Sequence, residues 1–113
     1  MWSAAAGLTA STLRGSYSNF PNPFAAGREA TTFVYYLPAG ARVSIHILTP
    51  HGESVATPLE DATRSSGLHQ SDRWNGRNGR GQPVYNGIYV AELDVRYDNG
   101  TSDRILRKLA VVR

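Results

Sequence analysis

At 113 residues, with a formal charge of +3 and no cysteine, the chain fits one domain and excludes disulfides, cysteine-based zinc sites and thiol nucleophiles. A domain of this length buries enough apolar surface to fold without covalent staples. No apolar run approaches the ~20 residues of a membrane span, so membrane insertion is not expected. The opening residues 1–8 have neither the basic start nor the apolar length of a signal peptide.

Residues 1–15 are small and polar, with three larger apolar side chains, Trp2, Leu8 and Leu13. That composition reads as a linker, strap or donor strand, and the three apolar residues are its candidate contact points. Residues 16–113 read as one folded domain. Strands are expected near 16–20, 31–37, 41–48, 53–59, 68–74, 87–97 and 101–112. Phe33, Tyr35 and Leu37 alternate with Thr32, Val34 and Tyr36, and Val43, Ile45 and Ile47 alternate with Arg42, Ser44 and His46. Tyr89, Ala91, Leu93 and Val95 do the same against Val90, Glu92, Asp94 and Arg96. A period of two marks half-buried strands. Pro38-Ala39-Gly40, His51-Gly52 and Asp98-Asn99-Gly100 supply the turns between them, and no helical stripe is sustained. The fold class is all-β: an immunoglobulin-like antiparallel β-sandwich of about seven strands. Its expected core is Phe33, Tyr35, Leu37, Val43, Ile45, Ile47, Trp74, Tyr89, Ala91, Leu93, Leu109 and Val111.

Several landmarks follow one another in a specific order. They are Tyr17, then Phe20-Pro21-Asn22-Pro23-Phe24, then Thr31 to Tyr35, Leu37-Pro38, Val43 to Ile47, Gly52, Trp74-Asn75-Gly76, Gly81-Gln82-Pro83-Val84, Gly87-Ile88-Tyr89 and the closing Lys108-Leu109-Ala110-Val111. Over residues 17–113 this series resembles the immunoglobulin-like domain of flagellar hook-capping (FlgD-type) proteins, a module that also recurs at the C-termini of secreted bacterial proteins. The resemblance implies a non-catalytic structural or interaction module of a bacterial extracellular or cell-surface protein. Such a module spaces, caps or docks an assembly, with protein partners or identical subunits and with upstream domains of a larger secreted protein. In the turn after Trp74 the family often carries aspartates, whereas this chain reads Asn75-Gly76-Arg77-Asn78-Gly79-Arg80. The separate N-terminal region of hook-capping proteins has no counterpart in residues 1–15.

The same landmarks have a physical reading. Pro21 and Pro23 restrict their own backbone and that of Phe20 and Asn22, giving a stiff strap between sheets with Phe20 and Phe24 as its anchors. Trp74 before Asn75-Gly76 is a core plug at a strand end whose indole N–H needs a partner. Gly87 to Ala91 is similar to the tyrosine corner of immunoglobulin sandwiches, with Tyr89 as the tyrosine and Ala91 where the second cysteine stands.

Catalytic, metal and cofactor sites are not expected. Turns near Glu53, Glu60, Asp61 and Asp72 make those carboxylates poor partners for acid/base work. The Asn75–Gly81 loop offers neutral amides beside arginines rather than a calcium cage. His46 falls on a strand's polar face and His51 in a turn, so convergence with His69 on a zinc ion is not expected. No P-loop, Gly-x-Ser-x-Gly or dinucleotide fingerprint is present. The basic groups Arg73, Arg77, Arg80 and Arg104, Arg107, Lys108, Arg113 read as solvated strand faces, the latter at a sheet edge, and not as a nucleic-acid footprint. Two alternative functions remain. Residues 1–15 could exchange strands between subunits of a surface filament or sheath, or outward-facing Tyr36 and Tyr97 could stack on sugars in a carbohydrate-binding module.

Overall fold

The computed structural model describes residues 12–112, which form a one-turn helix and eight strands. In chain order these are α1 (Leu13–Ser16), β1 (Ser18–Phe20), β2 (Phe24–Ala25), β3 (Thr31–Leu37), β4 (Ala41–Leu48), β5 (Ser54–Arg64), β6 (Gly67–Trp74), β7 (Gly87–Tyr97) and β8 (Ser102–Val112). They build a three-stranded sheet, β1-β3-β6, and a five-stranded sheet, β2-β8-β7-β4-β5. Every pairing is antiparallel except the short parallel contact of β2 with β8.

Alternation decides which residues make the core. On β3 every second residue from Thr31 to Leu37 is buried, and on β4 every second residue from Ala41 to Ile47. These inward rows meet Ala91, Leu93 and Val95 of β7 and Ile105, Leu109 and Val111 of β8. All the expected core residues are buried except Tyr89, which is half-buried and packs edge-on against Trp74 with ring centroids 6.3 Å apart. Phe24, Tyr17, Val84, Val95 and Ile105, with Leu13, Ala26 and Ala41, complete the interior.

Four expectations need correction. The strand expected at 53–59 runs on to Arg64, so Glu60 and Asp61 lie in a strand and not in a turn. Among the described residues β5 is an edge strand paired with β4 alone, and Pro58 falls at a register shift between the two, positions where a sheet tolerates proline. The register shifts between β4 and β5 absorb the irregularity, and Asp61 adopts a positive φ of 50° there. Phe20, expected as an anchor, is 76% exposed, whereas Phe24 is fully buried. The basic closing strand β8 is not an edge but lies between β7 and β2. Finally, Leu13 is not free for a partner: at 5% exposure it belongs to the domain's own core.

The local reason for that last burial is α1. Thr12 caps it by accepting from the Gly15 amide at 3.1 Å. Ser16 Oγ accepts from the Tyr36 amide at 2.8 Å and donates to the Leu13 carbonyl at 3.0 Å, tying the turn to β3. Tyr17 crosses the interior and donates to the Ala91 carbonyl of the opposite sheet at 3.3 Å. Burial pushes its phenol well above the usual tyrosine range. Trp2 and Leu8 lie outside the described residues.

Candidate interaction surface

The strap from Pro21 to Phe24 joins the two sheets. The bonds preceding both prolines are cis, and the chain passes from β1 in one sheet to β2 in the other. Asn22 then does with its side chain what a strand does with its backbone. Its Oδ1 accepts from the Ala110 amide at 2.9 Å, and its Nδ2 donates to the Lys108 carbonyl at 3.5 Å. The pairing continues through Phe24 with Val111 and Ala25 with Val112, and ends with the Ala26 amide donating to the Val112 carbonyl. On the other side Thr31, fully buried, donates to the Pro21 carbonyl at 2.8 Å and accepts from Asn19 Nδ2 at 2.8 Å.

Trp74 and its turn lock onto this strap. The Trp74 ring meets Phe24 edge-on, centroids 5.5 Å apart, and its Nε1–H donates to the Arg77 carbonyl at 2.9 Å. Gly76 passes so close to the strap that a Cβ there would stand 2.5 Å from Ala26 Cβ and 2.6 Å from Ala26 Cα, and its φ is +78°. Tyr89, two residues before Ala91, donates to the Tyr85 carbonyl at 2.7 Å. That is the geometry of a tyrosine corner, a hydroxyl bonded back to the backbone a few residues upstream. Gly87 opens β7 just ahead of it.

Two carboxylates of the sheets, Asp72 and Asp61, are held by arginines. Arg64 Nη2 meets Asp72 Oδ1 at 2.6 Å and Tyr35 donates to Asp72 Oδ2 at 2.5 Å, closing the side where β5 passes to β6. Burial alone would raise Asp72, but the hydrogen bonds from Arg64 and Tyr35 hold it below the usual carboxylate range. Burial and the same carboxylate push the Tyr35 phenol up. Asp61 accepts from Arg42 at 3.0 Å and from Arg96 at 3.2 Å, and the Arg42 hydrogen bond keeps it low. Carboxylates held ionised in this way make poor proton donors at neutral pH. Arg107 donates to the Arg14 carbonyl at 2.6 Å, so part of the closing basic group fixes α1 in place.

What remains exposed and apolar is concentrated on the outer faces. Phe20 and Leu68, 76% and 53% exposed, stand on the outside of the three-stranded sheet with half-buried Val34 and Tyr36 between them. Ile88, Leu106 and Val112 are exposed on the outside of the five-stranded sheet. Tyr36 and Tyr97 are half-buried, Tyr97 against the core, so neither forms the free stacking platform expected of a sugar site. Beside Phe20, the aromatic ring that stands free among the described residues is Tyr85, 83% exposed, in a loop where alternation gives no signal.

This sandwich is the fold of the FlgD-type immunoglobulin-like domain. The chain superposes on FlgD from P. aeruginosa with a TM-score of 0.62 at 14% identity, covering 84% of this chain and 72% of that one. FlgD from Xanthomonas campestris, a protein of the hook capping essential for flagellar assembly, matches with a TM-score of 0.62 at 13% identity, over 94% and 75% of the two chains. The dimeric latent PorU of Porphyromonas gingivalis matches with a TM-score of 0.65 at 23% identity. That match covers 86% of this chain but only 9% of PorU. No family model matches the sequence, and the search of curated proteins found no match.

Proposed function

We propose that this domain is a non-catalytic structural and interaction module of a bacterial extracellular or cell-surface protein, one that spaces, caps or docks a larger assembly through protein contacts. The observation that carries the reading is the sandwich shared with two FlgD structures over most of the chain. The rigid strap and the arginine-held carboxylates support it, since they stabilise a shape and leave outward apolar side chains for contact. The outer face of the three-stranded sheet, with Phe20 and Leu68, is the contact surface.

The test places a photo-crosslinking amino acid at Phe20 or Leu68 in the full-length protein in its own cells, with an epitope tag read from outside intact cells. Discrete covalent adducts with a protein partner, on chains the external antibody reaches, are expected. Chains reached only after lysis, or without adducts from either position, would refute the proposal. So would saturable hydrolysis by the purified domain that a single point substitution abolishes.

A further inference from the structure

Outside that surface, on the polar face of the five-stranded sheet, three donors of different chemistry converge. His46 of β4 stands directly opposite Glu92 of β7, and Asp94 lies two residues further along the same face of β7. Directly opposed cross-strand residues are neighbours, and diagonal ones lie within reach of long side chains. The residue opposite Asp94 is the small Ser44, so the imidazole can lean across toward Asp94. His46 Nε2 lies 3.6 Å from Asp94 Oδ2, and one ligand atom from each of the three residues falls within 4.8 Å of the others.

We propose that His46, Glu92 and Asp94 form a binding site for a divalent first-row transition metal of the zinc type.

Three features support this assignment beyond proximity. The far ring nitrogen, His46 Nδ1, is 3.4 Å from Thr57 Oγ1 on a third strand, β5. A hydrogen bond from Nδ1–H to that hydroxyl leaves the Nε2 lone pair aimed at the two carboxylates, which is how metal-bound imidazoles are oriented. The donor set of one imidazole nitrogen and two carboxylate oxygens suits zinc and its neighbours better than calcium or magnesium, which prefer oxygen alone. The site also has an approach. His46 and Asp94 line an open cleft of about 750 Å³ whose wall carries both acids, Glu60 and Asp61 among them, and the arginines Arg14, Arg96 and Arg104. Three protein ligands with water in the open position is a known zinc arrangement.

One group competes with the ion. Glu92, 8% exposed, accepts from Arg104 Nε on the adjacent β8. The same Arg104 stands opposite Asp94 in the β7–β8 register, but its guanidinium turns to Glu92, and among the described residues the one ion pair of Asp94 is with His46. Arg104 therefore neutralises one carboxylate and weakens the site without closing it.

The test is titration of the full chain with zinc chloride by calorimetry, with magnesium and calcium chloride as parallel arms. One zinc per chain is expected, with weak or undetectable heat from the other two ions. His46→Gln and Asp94→Asn should each weaken zinc binding roughly tenfold or more. His51→Gln and His69→Gln should leave it unchanged. Arg104→Gln should tighten it, and zinc should raise the melting temperature of that variant more than that of the wild type. Melting in EDTA checks that each variant is folded, and Asp94→Asn carries the test if His46→Gln is not. No saturable zinc binding, equal binding by a folded His46→Gln and Asp94→Asn, or calcium binding as tight as zinc would overturn the assignment.

Discussion

Replacing Gly76 by alanine should be among the most damaging single-methyl changes in the domain, and its cost can be divided in advance. Gly76 has a φ of +78°, and an added Cβ would meet Ala26 Cβ at 2.5 Å, Ala26 Cα at 2.6 Å and Phe24 Cε2 at 3.1 Å. The left-handed backbone costs an alanine about 1–2 kcal/mol. Forcing a methyl into a filled contact costs about 1–3 kcal/mol more, and here one of the atoms in the way is backbone, so it cannot rotate aside. Gly76→Ala should therefore lose about 2–5 kcal/mol against a typical domain stability of about 5–15 kcal/mol. Gly81 is the control, because its φ is +80° but nothing lies within 4 Å of an added Cβ. Gly81→Ala should lose only the backbone part, about 1–2 kcal/mol. Urea unfolding of both variants gives the comparison directly, with a lowered midpoint at unchanged slope marking a true stability loss. Equal losses would show that the approach of the turn to the strap carries no energy, and a Gly76→Ala loss below about 1 kcal/mol would refute both parts.

Asn22→Ala should cost about 1 kcal/mol and speed hydrogen exchange at the Ala110 amide; unchanged exchange there would show that the Asn22 side chain does not hold β8. Asp72 is lowered in the folded state, so its contribution is full above the ordinary carboxylate pKa of about 4 and is lost as pH falls through the folded value. Asp72→Asn should accordingly flatten the acid side of a stability–pH curve below about pH 4, and an unaltered curve would count against the Arg64–Asp72–Tyr35 cluster. Tyr17 and Tyr35 are raised, so the stability they confer is full below the ordinary tyrosine pKa of about 10 and is lost as pH climbs toward the folded values. Ultraviolet titration should show these two phenols ionising only together with unfolding, and Tyr17→Phe should remove one of the late-ionising groups.

The alternating strands were legible because one face of each is buried, and a period of two then separates Phe33, Tyr35 and Leu37 from their neighbours. Where burial does not enforce alternation, the sequence is silent. β5, an edge strand half-buried along its length, carries Pro58, Glu60 and Asp61, residues that read as a turn. Phe20 and Phe24 flank the same prolines, and only the crossing between sheets turns one inward and the other out. The cluster of His46 with Glu92 and Asp94 was invisible for a different reason. Alternation assigns each residue to a face but not to a partner, and His46 meets Glu92 only in the particular β4–β7 register the fold adopts. Trp74, Asn22 and Tyr89 were recognisable as motifs, yet the atoms they bond to lie in loops and strands that spacing alone does not bring together.

The parallel seam between β2 and β8 bears on how the domain would carry a load. The chain enters the seam at Asn22 and leaves it at Val112, and the two strands run in the same direction. Tension that reaches Asn22 from one side and Val112 from the other therefore pulls the strands past each other lengthwise. The Asn22 amide contacts, the β2 ladder and the Ala26–Val112 bond are then strained together in shear, whereas a hairpin pulled open from one end gives way one bond at a time. A spacer in an assembly subject to drag would hold its length until that whole seam fails at once.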